Sequence, residues 1–215
     1  MKDVTEKIKN VCEFYAITHR LKNTIRAGWQ VWDVDTDRFE SVAEHIYGTQ
    51  MLALAINSEF GLGLDMARVA IMLAIHELGE CIIGDIPVVG GEISRAEKQK
   101  LEMEAVEKIL GGLRNSTDIK KLILEYEERK TKESKFTHMV DKLECDFQCK
   151  YYEEKGCHDM AKHRVGPYAD RIEKYTKRGF SKLSSMWICN DIELFFKDDE
   201  VFKAIAEYIK SNNIF

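Results

Sequence analysis

Helix-breaking residues are scarce in this chain, which has only two prolines and 13 glycines among 215 residues. Proline and glycine are the least favourable residues inside a helix, so their scarcity favours long helices. Hydrophobic residues make up 45% of the chain and charged residues 32%, which is typical of a globular protein rather than a disordered one. We therefore expect an ordered protein, built from helices, with a sizeable core.

The chain also lacks an excess of basic residues and any apolar run long enough to cross a membrane. The net charge of -5 argues against a protein that coats a nucleic-acid polymer, although a nucleotide ligand needs only a local basic patch. The longest apolar segment is interrupted at His76, and the first residues lack the apolar core of a secretory signal. We expect neither a nucleic-acid polymer nor a membrane as a partner.

Cys-x-x-Cys pairs are absent as well. In a chain of this size, dispersed cysteines are typical of free thiols in a reducing cytoplasm rather than of a disulfide framework. We therefore predict reduced cysteines and a cytoplasmic protein. The six cysteines are Cys12, Cys81, Cys145, Cys149, Cys157 and Cys189.

Capping signals and apolar spacing divide the chain into helices. Ser41 and Glu44 form a capping box, which predicts a helix that continues to about Phe60. Ser94 and Glu97 form a second capping box at the start of another helix. Further helices are predicted from Asp65 through His76, from about 117 to 129, from 132 to 154 and from about 198 onward, with part of 158–185 helical and residues 30–34 a loop. The sequence thus predicts an all-α fold.

One short stretch places several polar side chains in an apolar sequence. Residues 74–85 contain one imidazole and three carboxylates, from His76, Glu77, Glu80 and Asp85. Polar groups inside an apolar helix are unfavourable unless something pairs with them, and a divalent cation pairs with several at once. His76 and Glu80 are four residues apart, so we expect both to project from one face of a helix.

Two other predicted helices carry residues that suit the same ion. His45 lies in the first turn after Ser41, and Asp141 lies in a later helix. Two imidazoles with two carboxylates suit a divalent transition metal such as Mn, Fe, Co, Ni or Zn. Each residue alone also fits an ordinary role, such as a core histidine, a salt bridge of Glu80 or a turn at Asp85. Spacing alone supports metal binding and these ordinary roles about equally.

Five blocks of the sequence together resemble one protein family. Their order and separations are similar to those of the HD-domain metal-dependent phosphohydrolases, in particular the branch of 5′-deoxynucleotidases and HD domain-containing protein 2. The resemblance spans residues 21 to about 150. The blocks are Leu21-Lys22 with Arg26-Ala27-Gly28-Trp29; Glu40-Ser41-Val42-Ala43-Glu44-His45; His76-Glu77 with Glu80; Gly84-Asp85-Ile86-Pro87; and Asp141 after Glu125-Tyr126-Glu127.

The resemblance implies a fold and a role for each candidate residue. The fold would be a single HD-domain helical bundle over residues 1–215, with the helices of 158–215 packed on the motif-bearing core, and the protein would be a homodimer. Glu80 corresponds to the carboxylate that orients or activates the attacking water, and Asp85 to the acid on the leaving side of the phosphate ester. Arg26 corresponds to the arginine that contacts phosphate, and Trp29 to the tryptophan that packs on the sugar. One divalent metal ion would be held by His45, His76, Glu77 and Asp141.

These residue types suit the removal of phosphate from a deoxyribonucleoside 5′-monophosphate. A metal supplies a nucleophile from water at neutral pH, and an arginine grips phosphoryl oxygens bidentately. Two alternatives stay open: a triphosphohydrolase or phosphodiesterase of the HD type, and a non-catalytic nucleotide- or metal-binding regulator. The second arises because Glu77 stands where the family has aspartate, and its added methylene moves the carboxylate outward. A zinc protease is disfavoured because the second histidine of His-Glu-x-x-His is absent.

Overall fold

α-Helices form nearly all of the regular structure in the computed structural model, which describes residues 3–87, 93–162 and 169–215. Within those ranges no β-strand occurs, and one isolated bridge pairs Ile25 with Ser41. The all-α prediction is therefore confirmed. The helices are α1 (Val4–Thr18), α2 (Ala27–Val31), α3 (Val42–Phe60), α4 (Met66–Ile75), α5 (Glu80–Ile83), α6 (Arg95–Leu110), α7 (Ser116–Glu128), α8 (Lys132–Glu154), α9 (Ala169–Lys177), α10 (Leu183–Asp191) and α11 (Glu200–Ser211), with 3₁₀ turns at His19–Lys22 and Met160–Lys162 and a π-helical turn at Ile192–Phe196.

The two predicted capping boxes begin α3 and α6. The Ser41 hydroxyl accepts a hydrogen bond from the backbone of Glu44, whose carboxylate accepts one from the Ser41 backbone at 2.8 Å. Ser94 and Glu97 repeat this arrangement at the start of α6. α3 ends where Gly61 adopts a φ of 59°, a left-handed conformation that glycine tolerates best.

The boundary after α4 differs from the prediction. α4 ends at Ile75, residues 76–79 form a turn, and Glu80 begins the separate helix α5. The backbone N–H groups of Leu78 and Glu80 bond to carbonyls three residues earlier, not four, which tightens the chain out of the α-helical path. The prediction that His76 and Glu80 share one helix face is therefore wrong.

The assignment of residues 30–34 to a loop is wrong in part. Residues 30 and 31 belong to α2, because Trp29 and its neighbours Trp32 and Val34 are buried in an apolar cluster that includes Tyr152 of α8. This tertiary packing stabilises α2. With only five residues, the helix is too short to show a helical spacing of apolar residues in the sequence. In the region predicted as partly helical, α9 and the first turn of α10 are observed, and residues 163–168 lie outside the described ranges.

The longest helix, α8, is the element around which the others pack. It contacts α3, α4, α7, α10 and α11. Apolar residues such as Phe136, Val140 and Leu143 anchor it, whereas Asp141 and Glu144 are also buried. Buried carboxylates are unfavourable unless they are paired, so the partners of these two identify the functional centre. No helix in the described ranges is both long and apolar enough to span a membrane.

Candidate metal centre

The four predicted metal ligands converge where α3, α4 and α8 meet. His45, His76, Glu77 and Asp141 each offer one nitrogen or oxygen, and these atoms all lie within 4.8 Å of one another. The Nε2 atom of His45 lies 3.1 Å from Oδ1 of Asp141 and 3.4 Å from Nε2 of His76. The structure thus brings the set together, and their role as ligands stays a prediction.

The two imidazoles are oriented by hydrogen bonds on their outer nitrogens. Nδ1 of His45 lies 2.5 Å from a Glu144 oxygen, and Nδ1 of His76 lies 2.8 Å from the Leu73 carbonyl. Each acceptor fixes the proton on Nδ1, which leaves the lone pair of Nε2 directed into the cluster. Two lone pairs and two carboxylates that face one another require a cation, so this donor set fits a divalent metal ion.

A proton and a metal ion compete for this cluster. Burial and Arg26 lower the pKa of His45, but Glu144 and Asp141 outweigh them and raise it to about 10. Burial raises the pKa of Glu77, but His76 and Arg26 outweigh it and lower the pKa to about 2. Glu77 is therefore ionised at neutral pH, and a metal ion bound at this cluster would displace a proton from His45.

Sequence reasoning missed Glu144, which orients His45. Glu144 lies three residues after Asp141 on α8, so the two share a helix face, and that spacing was the available signal. A Cβ atom at Gly48 would come within 2.6 Å of Oε1 of Glu144. Gly48, one turn after His45 on α3, therefore leaves room for the carboxylate that holds the imidazole.

The two oxygens of Asp141 have different partners. Oδ2 accepts a hydrogen bond from the Tyr126 hydroxyl at 3.2 Å and lies 2.8 Å from Nζ of Lys142. Oδ1 faces the imidazoles of His45 and His76. Burial raises the pKa of Asp141, but Lys142 and His45 outweigh it, so the carboxyl is ionised with a pKa well below its usual range. Oδ2 of Asp141 is thus fixed by Tyr126 and Lys142, whereas Oδ1 faces the cluster.

Glu77 connects the cluster to Arg26. Its Oε1 atom lies 3.0 Å from a terminal nitrogen of Arg26 and 3.7 Å from Nε2 of His76. The second terminal nitrogen of Arg26 lies 3.3 Å from the sulfur of Cys145. The longer side chain of glutamate thus brings one carboxylate within reach of both the imidazoles and the predicted phosphate-binding guanidinium.

Glu80 and Asp85 lie on either side of Lys98, which the sequence did not place at the site. Nζ of Lys98 is 3.1 Å from Glu80 and 3.8 Å from Asp85. Burial, then Glu77 and Asp85, raise the pKa of Glu80 well above its usual range, although Lys98 acts in the opposite direction. Glu80, with 1% of its surface exposed, can therefore hold a proton at neutral pH and donate it as a general acid.

A cavity of about 340 Å³ adjoins the cluster, and both polar and aromatic side chains line it. Arg26 and Asp85 are among the polar residues of its wall, and Trp29 and Trp187 are among the aromatic ones. The two indoles stack with centroids 5.1 Å apart, and Trp29 donates from Nε1 to Glu40 at 2.7 Å. Trp187 thus both packs on Trp29 and forms part of the cavity wall. Cavities of this size accommodate small molecules.

Removal of a bound metal is expected to lower the melting temperature. A metal ion that binds only the folded protein stabilises it by about 2.7 kcal/mol when present at 100 times its Kd. For a chain of this length the loss corresponds to roughly 5–10 °C. Calorimetric melting with Mn or Co, and again after treatment with a chelator, measures it. Identical melting temperatures would contradict a metal site at this cluster.

Comparison with known proteins gives one family and several relatives. The sequence model of the HD-domain family matches residues 18–184 of this chain. The chain is 34% identical over 149 residues to 5′-deoxynucleotidase HDDC2 of Danio rerio, covering 67% of this chain and 70% of that one. It is 32% identical over 155 residues to 5′-deoxynucleotidase hdd1 of Schizosaccharomyces pombe, covering 69% and 75%.

Solved structures share the fold at lower identity. A predicted metal-dependent phosphohydrolase from Magnetospirillum magnetotacticum superposes with a TM-score of 0.67 at 20% identity, covering 96% of this chain and 94% of that one. The PH0347 protein of Pyrococcus horikoshii gives a TM-score of 0.65 at 22% identity, covering 93% and 98%. At these identities the likeness concerns the fold alone.

Proposed function

This chain belongs to the HD-domain family, and we propose that it is a metal-dependent phosphohydrolase that removes the phosphate from deoxyribonucleoside 5′-monophosphates. The observation that carries the proposal is the convergence of His45, His76, Glu77 and Asp141 beside Arg26, which lines a cavity with aromatic side chains in its wall. The relatives named 5′-deoxynucleotidase support the choice of substrate.

Each residue around the cluster has a chemical task in this reaction. A bound divalent ion supplies a nucleophile from water at neutral pH and neutralises phosphoryl charge. Arg26, whose guanidinium lines the cavity, grips the phosphate oxygens. Glu80 holds the proton that the departing 5′-oxygen needs. Asp85 accepts a hydrogen bond from the Ala27 backbone at 2.9 Å, which ties its loop to the start of α2, the helix that carries Trp29.

The tryptophan side chains in the cavity wall support a preference for deoxyribose. Trp29 has only 2% of its surface exposed and is held by Glu40 and the facing Trp187. A rigid apolar wall excludes a 2′-hydroxyl by shape and leaves it without a hydrogen-bond partner. Discrimination of this kind reaches on the order of 100-fold.

Four finer features belong to the same proposal. The metal is a transition ion such as Mn, Co, Zn, Fe or Ni, supported by the two imidazoles. Residues 1–215 form one HD-type domain, and the protein acts in the cytoplasm, supported by its six free thiols. It is a homodimer, supported by an exposed apolar stripe on α1 with the spacing of a helix–helix seam, Val4, Ile8, Val11 and Tyr15. Sedimentation equilibrium measures the oligomeric state.

Phosphate release from deoxyribonucleotides and ribonucleotides, with each metal added in turn, tests the function. We expect metal-dependent release of orthophosphate, with deoxyribonucleoside monophosphates preferred. Release of pyrophosphate or triphosphate from triphosphates alone would favour the triphosphohydrolase alternative. Tight nucleotide binding in a calorimeter without turnover of any nucleotide would favour the regulator.

Substitution of Glu77 by aspartate tests whether glutamate at this position has the same role as the aspartate that is usual in the family. Aspartate ligates the same metals at the same distance, so we expect retained metal and a kcat/KM within about tenfold of wild type. Metal content and steady-state kinetics measure both, with the exposed Glu59→Asp as a matched control. Complete loss of activity would instead mean that the site depends on the reach of glutamate toward Arg26.

A further inference from the structure

A second cavity, of about 380 Å³, borders the same cluster. Glu77 and Asp141 line both cavities, but the second extends between α6, α7 and α8 and has no tryptophan in its wall. Its lining includes Arg95, Arg129 and His138. None of these three residues has a part in the proposed binding of the nucleoside or the hydrolysis of its phosphate.

Arg129 occupies a strained position at the end of α7. Its φ is 52°, so a residue other than glycine adopts the left-handed conformation there, which is unfavourable for a side chain with a Cβ atom. The Nε atom of Arg129 is buried without a hydrogen-bond partner in the described part of the chain. The fold therefore retains an arginine at a site that suits glycine, with its guanidinium at the cavity.

His138 adds a second donor without a partner. Only 7% of its surface is exposed, and among the described residues neither ring nitrogen has a hydrogen-bond partner. A buried imidazole N–H without an acceptor is unfavourable. A ligand that accepts hydrogen bonds in this cavity would satisfy it.

The cations of this cavity differ in how they are paired. Lys98 and Lys142 are already engaged, with Glu80 and Asp141 respectively. Arg95 and Arg129 also line the cavity, and neither forms an ion pair within residues 3–87, 93–162 and 169–215. Four carboxylates line it as well. Glu77 and Asp141 are paired with Arg26 and Lys142, Glu102 lies 3.4 Å from Lys98, and Glu127 accepts from Gln99 at 3.2 Å. Burial raises the pKa of Glu127, and the nearby charge of Arg129 acts in the opposite direction. The two guanidiniums are thus the cations of this cavity that no carboxylate contacts directly, and they are available to an anion.

We propose that this second cavity is a binding site for a phosphoryl oxyanion, separate from the one formed by Arg26. Guanidinium groups match the oxygens of phosphate bidentately, and Arg95 and Arg129 approach the cavity from different helices. Its occupant is either the phosphate released at the cluster or the second phosphate of a nucleoside diphosphate. The choice between these two sources rests on the proposed function, whereas anion binding itself does not.

Substitution of Arg129 by asparagine tests the site with little effect on the backbone, since asparagine tolerates the left-handed conformation. We expect the Kd of inorganic phosphate, measured by calorimetry on the metal-loaded protein, to rise about tenfold in Arg129→Asn and further with Arg95→Gln. The matched control Lys130→Gln removes a neighbouring charge whose side chain is 76% exposed and should bind phosphate like wild type. An unchanged phosphate Kd in the double variant overturns the proposal.

Kinetic measurements separate the two sources. If released phosphate occupies the cavity, Arg129→Asn weakens inhibition by phosphate about tenfold and leaves inhibition by a deoxynucleoside diphosphate unchanged. If the second phosphate of a bound nucleoside diphosphate occupies it, inhibition by the diphosphate weakens about tenfold instead. Either result supports the site. Phosphate binding that depends on Arg129 in a protein without nucleotidase activity would refute the proposed function and leave the anion site standing.

Discussion

Replacement of His76 by alanine is expected to abolish stoichiometric metal binding and to lower kcat/KM by at least about 1000-fold, or about 4 kcal/mol of transition-state stabilisation. The side chain is 1% exposed, and its Nε2 lies 3.4 Å from Nε2 of His45 and 3.7 Å from Glu77. No other described residue offers a nitrogen at this place in the cluster. Without it, His45 and the two carboxylates would face a gap.

Metal content by elemental analysis and kinetics with added Mn or Co measure the effect of His76→Ala. His19→Ala is the matched control, because His19 is exposed and lies outside the cluster, and it should behave like wild type. Circular dichroism and melting curves verify that the variant folds. A folded His76→Ala protein that keeps one equivalent of metal would rule out His76 as a ligand.

Replacement of Glu80 by glutamine is expected to lower kcat by on the order of 100-fold to 10,000-fold, the usual contribution of general acid–base catalysis. Glutamine keeps the size and the contact with Lys98, 3.1 Å from the carboxylate in the native protein, but it cannot transfer a proton. Metal binding should persist, because Glu80 is not among the four residues of the central cluster. The loss should therefore appear in kcat rather than in metal content.

The pH profile distinguishes proton transfer by Glu80 from a structural role. Because burial and the neighbouring Glu77 and Asp85 raise the pKa of Glu80, the wild-type carboxyl keeps its proton to a higher pH than an ordinary glutamate and loses it as the pH rises further. The wild-type kcat should fall on the alkaline side, and this limb should be missing in Glu80→Gln. Glu80→Asp should restore part of the activity, and the exposed Glu104→Gln should change nothing. An equal loss with an unaltered pH profile would contradict the acid role.

Local signals in the sequence predict most of the helices, because capping and burial act over a few residues. The capping boxes at Ser41 and Ser94 begin α3 and α6 as predicted, and α8 spans Lys132–Glu154 as predicted. The turn after Ile75 was missed because its residues have good helical spacing, and only the hydrogen bonds of the folded chain reveal the tighter path. α2 forms because Trp29 is buried by residues far along the chain.

The candidate site shows the same division between local and long-range information. The residues of the family motifs could be named from the sequence, and the structure brings His45, His76, Glu77 and Asp141 together. Their supporting partners could not be assigned in the same way, because a contact between separate helices leaves no spacing in the sequence. Lys98, which lies outside every motif, contacts Glu80 from α6. Tyr126 belongs to a motif, but only the fold shows that its hydroxyl donates to Asp141 from α7.

The contact between Gly48 and Glu144 limits which sequences can keep this centre. A Cβ atom at position 48 would lie 2.6 Å from Oε1 of Glu144, whose other oxygen, Oε2, contacts Nδ1 of His45. The carboxylate would therefore have to shift. If this shift breaks the contact with His45, Gly48→Ala would retain every metal-compatible side chain and bind the ion with the roughly 10–100-fold lower affinity that is typical of lost outer partners. One methyl group that touches neither ion nor substrate would then be enough to weaken the centre.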